Sequence, residues 1–207
     1  MVFLRKAQAA DIQGIVSVHL AAFQGFLMSL LGERFLLEYY DLALNYEDVV
    51  AFVSEDNGLI TGFIVGFIGP ERFYKRMRLN RWRLVKTALR YVIRRPRLWI
   101  RVLGSKQRMD RMASTNGSST KNCELASVAV RPDYSSGGIG KQLMKAFLQE
   151  AEKRGVTTVY LITDATKNEA VNAFYRGVGF RVHRSFEAAG SRLMYEYVYE
   201  IRQGMIV

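Results

Sequence analysis

Only one cysteine, three prolines and two histidines occur among the 207 residues. A single thiol, Cys123, excludes a disulfide within the chain and suits a reducing cytoplasm. So few prolines argue against long rigid linkers. His19 and His183 stand far apart, so no metal centre is expected and both read as structural residues. Long hydrophobic runs are missing too. Leu59–Ile68 is broken by Thr61, Gly62 and Gly66, and is about half of the roughly 20 residues a membrane span requires. The opening Met1–Lys6 has too short an apolar run for a secretory leader. The expectation is a soluble or peripheral protein of the cytoplasm.

What the chain does have is core material: 49% of its residues are apolar and 12% aromatic, which excludes a disordered polymer. Its length suits a single domain over 1–207 with an insertion at about 70–121. The net charge of +11 is unevenly distributed. Between Pro70 and Arg111, fifteen Lys or Arg face two acids, Glu71 and Asp110, giving +13, and the rest of the chain carries −2. The basicity therefore belongs to the insertion.

Along the chain, Val2–Lys6 reads as a strand, and Asp11 as a cap for a helix whose apolar positions run from Ile12 to Phe23. A second helical pattern covers Phe26 to Leu44 with a break at Gly32. Val49–Ser54 and Leu59–Ile68 read as strands joined by Asp56-Asn57-Gly58, residues that tolerate the positive φ of a tight hairpin. A helical pattern spans Pro70–Leu103, and the polar run Ser114–Lys121 reads as a loop. A strand at Glu124–Val130, a helix at Lys141–Arg154, a strand at Thr158–Thr163, a helix at Glu169–Arg176 and strands at Phe180–Phe186 and Leu193–Ile201 follow. The order β-α-α-β-β-(insertion)-β-α-β-α-β-β predicts an α/β sheet flanked by helices on both faces.

Ser135-Ser136-Gly137-Gly138-Ile139-Gly140-Lys141 lies between a strand and a helix. Glycines let successive N–H groups converge, and a helix N-terminus adds partial positive charge, so the segment suits a phosphate or diphosphate. A tight turn without a ligand is the plainer reading. A Walker A loop is excluded by spacing, and a dinucleotide fingerprint by Leu143 in place of a third glycine.

The run Leu125–Gly140, with Val130-Arg131-Pro132 followed by the Gly-rich loop, resembles the acetyl-CoA motif of the GCN5-related N-acetyltransferase (GNAT) superfamily. Asn168…Tyr175…Gly179-Phe180 resembles its second signature, in the right order. Ser135 departs from the usual Arg or Gln, and Val171 from a common Ala. The resemblance implies a mixed central sheet flanked by helices, with the basic helical insertion between the third and fourth strands. It implies acetyl-CoA as co-substrate. The main chain of Val128, Ala129 and Val130 would pair with the pantetheine arm. Ser135, Ser136, Gly137, Gly138, Ile139, Gly140 and Lys141 would hold the diphosphate. Asn168 would position the pantetheine.

Acetyl transfer to an amine needs a neutral nucleophile, a polarised carbonyl and a proton for the leaving sulfur. Glu124, eleven residues before Ser135, is the candidate base; the alternative is an idle, exposed strand-edge carboxylate. Tyr175 matches the position of the acid that protonates the leaving thiolate, the alternative being a core tyrosine. Cys123 reads as a small buried hydrophobe.

The resemblance places the acceptor between Phe23–Tyr40, including Glu33, Arg34, Glu38 and Tyr39/Tyr40, and the stretch near Glu187–Arg192. In the insertion, Leu84, Val85, Ala88, Leu89, Val92 and Ile93 form one helical stripe and Arg83, Lys86, Arg90 and Arg94 the opposite one, with Trp82 and Trp99 flanking and Pro96 breaking the pattern. Packing on the domain or in a homodimer, peripheral contact of 72–103 with an anionic membrane, and binding of nucleic acid, the weakest of the three, stay open. Two functions follow: N-acetyltransfer to a primary amine of a small molecule such as an amino sugar, or an acyl-CoA-binding module that docks on membrane or RNA without catalysis. A pure binder has no use for Glu124 and Tyr175 together.

Overall fold

A computed structural model describes residues 2–93, 122–188 and 191–201. The chain runs β1 (Phe3–Lys6), α1 (Ile12–Ala22), a single turn α2 (Leu27–Leu30), α3 (Glu33–Leu44), β2 (Val49–Asp56), β3 (Leu59–Ile68), α4 (Pro70–Leu79) and α5 (Arg81–Ile93). After 94–121 come β4 (Asn122–Val130), a short 3-10 turn Pro132–Gly137, α6 (Ile139–Lys153), β5 (Thr158–Asp164), α7 (Glu169–Gly177), β6 (Arg181–Ala188) and β7 (Arg192–Glu200). The strands form one sheet in the order β1-β2-β3-β4-β5-β7-β6. Every neighbouring pair is antiparallel except β4 and β5. The fold is the expected mixed α/β sheet, and the β2–β3 hairpin turns at Asn57 and Gly58, whose φ values are 48° and 80°.

Apolar clusters lie on both faces of the sheet. One joins α1, α3 and α4 to Phe63, Val65 and Phe67 of β3. The other joins α6 and α7 to Ile64 and Ile68 of the same strand. Strand β3 is therefore buried along almost its whole length, which explains a sequence with little polar alternation. Gly66 has a specific packing role. A Cβ there would meet Phe147 Cζ and the Glu124 carbonyl, each at 2.5 Å. Its bare backbone lets α6 press on the sheet, which fixes where the helix opens.

Several boundaries differ from the sequence expectation. The helix expected from Lys141 begins at Ile139, so Gly140 lies in its first turn. Asp11 precedes α1 but makes no side-chain cap. Its carboxylate takes Arg5 in a bidentate pair at 2.7 Å and accepts the Gln8 N–H at 2.8 Å. Among the described residues the basic segment holds two helices, α4 and α5. Phe73 of α4 stacks on Phe67 of β3 with ring centroids 3.7 Å apart, pinning the first helix to the domain. Arg83 is exposed, as expected of the solvent stripe, and pairs with Glu38 and Asp41 of α3 at 2.7 and 3.0 Å, while Val85, expected on the apolar stripe, is exposed. Leu84, beside it, is the buried residue of this turn. The expectations for Arg94, Pro96, Trp99 and the Ser114–Lys121 loop lie outside the described residues.

Candidate active site at the parting of two strands

The site begins with a defect in the sheet. β4 and β5 pair in parallel at Asn122↔Thr158, Cys123↔Val159 and Glu124↔Tyr160. Beyond that pair no register joins them, although β4 runs on to Val130 and β5 to Asp164. A bulge sits at the same place. Val65 opposes Ser127 and Gly66 opposes Leu125, so Ala126 is an extra residue in β4. A bulge bends its strand and strengthens the local twist. The bend turns β4 away from β5 and leaves the β5-facing edge of Leu125–Val130 without a strand partner among the described residues. That stretch includes Val128, Ala129 and Val130.

At the far end of β4 the chain passes through the Pro132–Gly137 turn into α6. Ser135 Oγ donates to the Pro132 carbonyl at 2.9 Å, so its side chain serves the turn. Gly138 takes φ +69°, a conformation costly for any residue with a Cβ. It caps α6 with no side-chain acceptor. The Gly138 carbonyl accepts the N–H groups of Lys141 and Gln142. The N–H groups of Ile139 and Gly140 have no intrahelical acceptor, as in any first turn, and the helix dipole adds partial positive charge there. A Cβ on Gly140 would lie 3.5 Å from Phe174, in the second half of α7, so the opening of α6 packs close to that helix. Lys141 is exposed.

Asn168 stands at the N-cap of α7. Its carboxamide nitrogen donates to Thr163 Oγ1 at 2.9 Å and to the Asp164 carbonyl at 3.1 Å. One turn later Asn172, which the sequence reading did not single out, donates to the Asp164 and Ala165 carbonyls at 3.1 and 3.4 Å. Its carbonyl oxygen accepts the Tyr197 hydroxyl at 3.2 Å. Asn168 and Asn172 knit α7 to the end of β5. Two asparagines four apart on one helix face were the sequence signal. Tyr175 follows, 8% exposed, with its ring against Phe174, Phe180 and Tyr197. Burial pushes its phenol well above its ordinary value, so the hydroxyl keeps its proton throughout the physiological range.

Glu124 is not the exposed strand-edge carboxylate that was the alternative. It is 3% exposed, at the last paired position before the strands part. Tyr74, on α4, donates its hydroxyl to Glu124 Oε1 at 3.0 Å. Tyr160 is its partner in register, and burial together with the Glu124 charge raises the Tyr160 hydroxyl. Neither tyrosine was foreseen. Next to them Cys123 is fully buried, and burial pushes its thiol far up, which disfavours the thiolate a nucleophile needs.

The acceptor candidates divide. Glu33 and Arg34 are exposed, Glu38 is engaged by Arg83, and Tyr39 and Tyr40 are buried. The Tyr40 hydroxyl lies 2.7 Å from His19 Nδ1 and also bonds Ser127 at the bulge. His19 is 3% exposed, and burial lowers its pKa to about 4, so it stays neutral. Arg192 forks onto Asp164 at 2.7 Å, tying β7 to the tip of β5. No group of three potential metal ligands occurs among the described residues.

The sequence model described as the acetyltransferase (GNAT) family matches residues 19–180. The ribosomal protein bS18-alanine N-acetyltransferase of Escherichia coli K12 is 43% identical over 56 residues, which are 27% of this chain and 37% of that protein. The match thus spans little more than a third of that relative's length. The ribosomal-protein-alanine N-acetyltransferase of Brucella melitensis superposes with a TM-score of 0.64 at 18% identity, covering 96% of this chain and 99% of that one. PaiA N-acetyltransferase of Thermoplasma acidophilum, solved with coenzyme A, superposes at 0.56 and 15% identity over 96% and 99%. The parted strands, the glycine-opened helix and the family match together identify the chain as a member of the acetyltransferase (GNAT) family.

Proposed function

We propose that this chain is an N-acetyltransferase that moves the acetyl group of acetyl-CoA directly to a primary amine of a small molecule, with amino sugars as the first class to test. The observation that carries the reading is the strand-free edge of β4 beyond the Glu124↔Tyr160 pair, lying between a buried carboxylate and an uncapped helix opening.

The residues present fit acetyl-CoA. A pantetheine arm has two amides, and a bare strand edge offers the main-chain donors and acceptors that pair with them, here along Val128, Ala129 and Val130. A diphosphate needs converging N–H groups. The turn and first helical coil at Ser135, Ser136, Gly137, Gly138, Ile139 and Gly140 would supply them, with the exposed Lys141 contributing its ammonium charge, its own N–H being taken by the Gly138 carbonyl. Asn168 spends its nitrogen on β5. In this reading it positions α7 and the strand end, and only its carbonyl oxygen is left to accept from an arm amide. Acetyl-CoA supplies an activated thioester carbonyl.

The chain's own groups do the rest. An alkylamine with a pKa of about 10 arrives mostly protonated at neutral pH. Glu124, held by the Tyr74 hydroxyl, takes that proton or draws it through a water. A main-chain N–H at the bulge, from Val128 or its neighbour, donates to the carbonyl oxygen as charge gathers there. Tyr175, protonated and screened from bulk water, donates to the departing sulfur.

A second acceptor class is suggested by the similarity to enzymes named for an alanine of ribosomal protein bS18. A panel holding amino sugars, simple alkylamines and a peptide with N-terminal alanine, read by thiol release from acetyl-CoA, decides between them. Turnover with the peptide alone removes the small-molecule reading. Saturable CoA binding without turnover on any amine leaves the binding module standing.

A further inference from the structure

The two helices after β3 have inner and outer sides of different chemistry. Phe73, Met77 and Leu84 are buried against the domain, and Arg83 is anchored on α3. At the corner between the helices, Leu79 is 77% exposed, Trp82 64% and Val85 43%. On α5, Trp82, Val85 and Lys86 share the side away from Leu84; on α4, Lys75 and Leu79 share the side away from Phe73 and Met77. Arg81 lies over the Trp82 ring at 5.6 Å. From Pro70 to Ala88, seven Lys or Arg stand against one acid, Glu71, a net of +6.

We propose that this corner is a docking surface for an anionic phospholipid bilayer, with Leu79, Trp82 and Val85 entering the headgroup boundary and Lys75, Arg81 and Lys86 meeting lipid phosphates. The apolar residues separate this occupant from the others. A nucleic-acid backbone rewards the cations and leaves exposed aliphatic side chains in water. A second copy of the chain would bring two such positive corners together, and like charges oppose that pairing. A tryptophan beside leucine, ringed by cations, is the composition that settles in a bilayer interface. No described helix is long and apolar enough to cross a membrane, and the proposed contact is peripheral. The same helix α4 carries Tyr74 to Glu124 on its other side, so docking would hold the site within one helix thickness of the lipid surface.

The test uses the full chain, pelleted with vesicles of phosphatidylcholine alone or mixed equally with phosphatidylglycerol, at low and high salt. The expected result is binding to the anionic vesicles only, weakened by salt. Trp82→Ser and Leu79→Ser should each lower the partition coefficient by about 10-fold or more. Lys75→Gln and Lys86→Gln should lower it by about 5-fold each. CoA binding by calorimetry and thermal unfolding should stay at wild-type values, which separates this proposal from the assignment of the catalytic site. Failure to pellet with anionic vesicles at low salt overturns the proposal. So does a pattern in which the lysine variants weaken binding, the Trp82 and Leu79 variants do not, and duplex RNA binds as tightly as the vesicles.

Discussion

The hydroxyl of Tyr74 reaches Glu124 Oε1 at 3.0 Å across fifty residues of chain. The basic insertion thus begins with a helix that forms one wall around the candidate base. Removing the hydrogen bond should disturb the carboxylate and leave the cofactor cleft alone. Tyr74→Phe should lower kcat about 10–100-fold with KM for acetyl-CoA unchanged, as expected for a hydrogen bond of about 1.5–3 kcal/mol to a charged partner. An unchanged kcat would mean that Glu124 keeps its position without Tyr74.

Glu124→Gln keeps the shape and removes the proton acceptor. We expect kcat/KM to fall by about 10²–10⁴-fold near neutral pH. The loss should shrink as pH approaches the acceptor's own pKa, because the amine then arrives neutral. A loss of equal size at every pH would mean that Glu124 acts by structure rather than as a base.

Tyr175→Phe preserves the ring packing on Phe180 and Tyr197. It should cut kcat by about 10²-fold while CoA binds with wild-type affinity. Wild-type turnover across the amine panel would end the assignment of Tyr175 as the acid.

Gly138 holds φ +69°, and no atom lies within 4 Å of the place a Cβ would take. Gly138→Ala therefore tests conformation without a clash. Stability should drop by about 1 kcal/mol. CoA affinity should fall several-fold as the α6 opening rotates. Chemical denaturation and calorimetry on the same sample read both effects.

Two buried groups set the acid side of the stability profile. His19 has a folded pKa of about 4 against an ordinary 6.5, so the unfolded chain binds the extra proton between those values. Its contribution is complete above pH 6.5, is lost as pH falls towards 4, and amounts to about 3 kcal/mol. His19→Leu should flatten that slope in urea titrations. Asp11 is held below its ordinary 3.8 by the Arg5 guanidinium. Its contribution is present above 3.8 and disappears only in stronger acid, a lower window that Arg5→Met should abolish.

The strand, turn and helix proposed to hold the cofactor were legible in the sequence because their determinants are local. A strand, a glycine turn and a helix start lie within about twenty consecutive residues, and Asn168 to Phe180 is the short helix Glu169–Gly177 with its N-cap and the turn that follows it. What the sequence hid were relations between distant segments. Tyr74 meets Glu124, and Tyr40 joins His19 to Ser127, only because β3 and β4 pair and α1, α3 and α4 lie on one face. The bulge at Ala126 is a property of register, invisible until β3 supplies the partner strand. Periodicity misassigned Val85, which is exposed, because hydropathy carries no record of how α5 is anchored on α3 through Arg83, Glu38 and Asp41.

The most direct test of the central claim is calorimetric titration of the purified chain with CoA and with acetyl-CoA. The parted strands and the α6 opening predict a saturable heat at one site per chain, with weaker binding in Gly138→Ala. No heat of binding with either ligand, from a folded sample, would contradict the account.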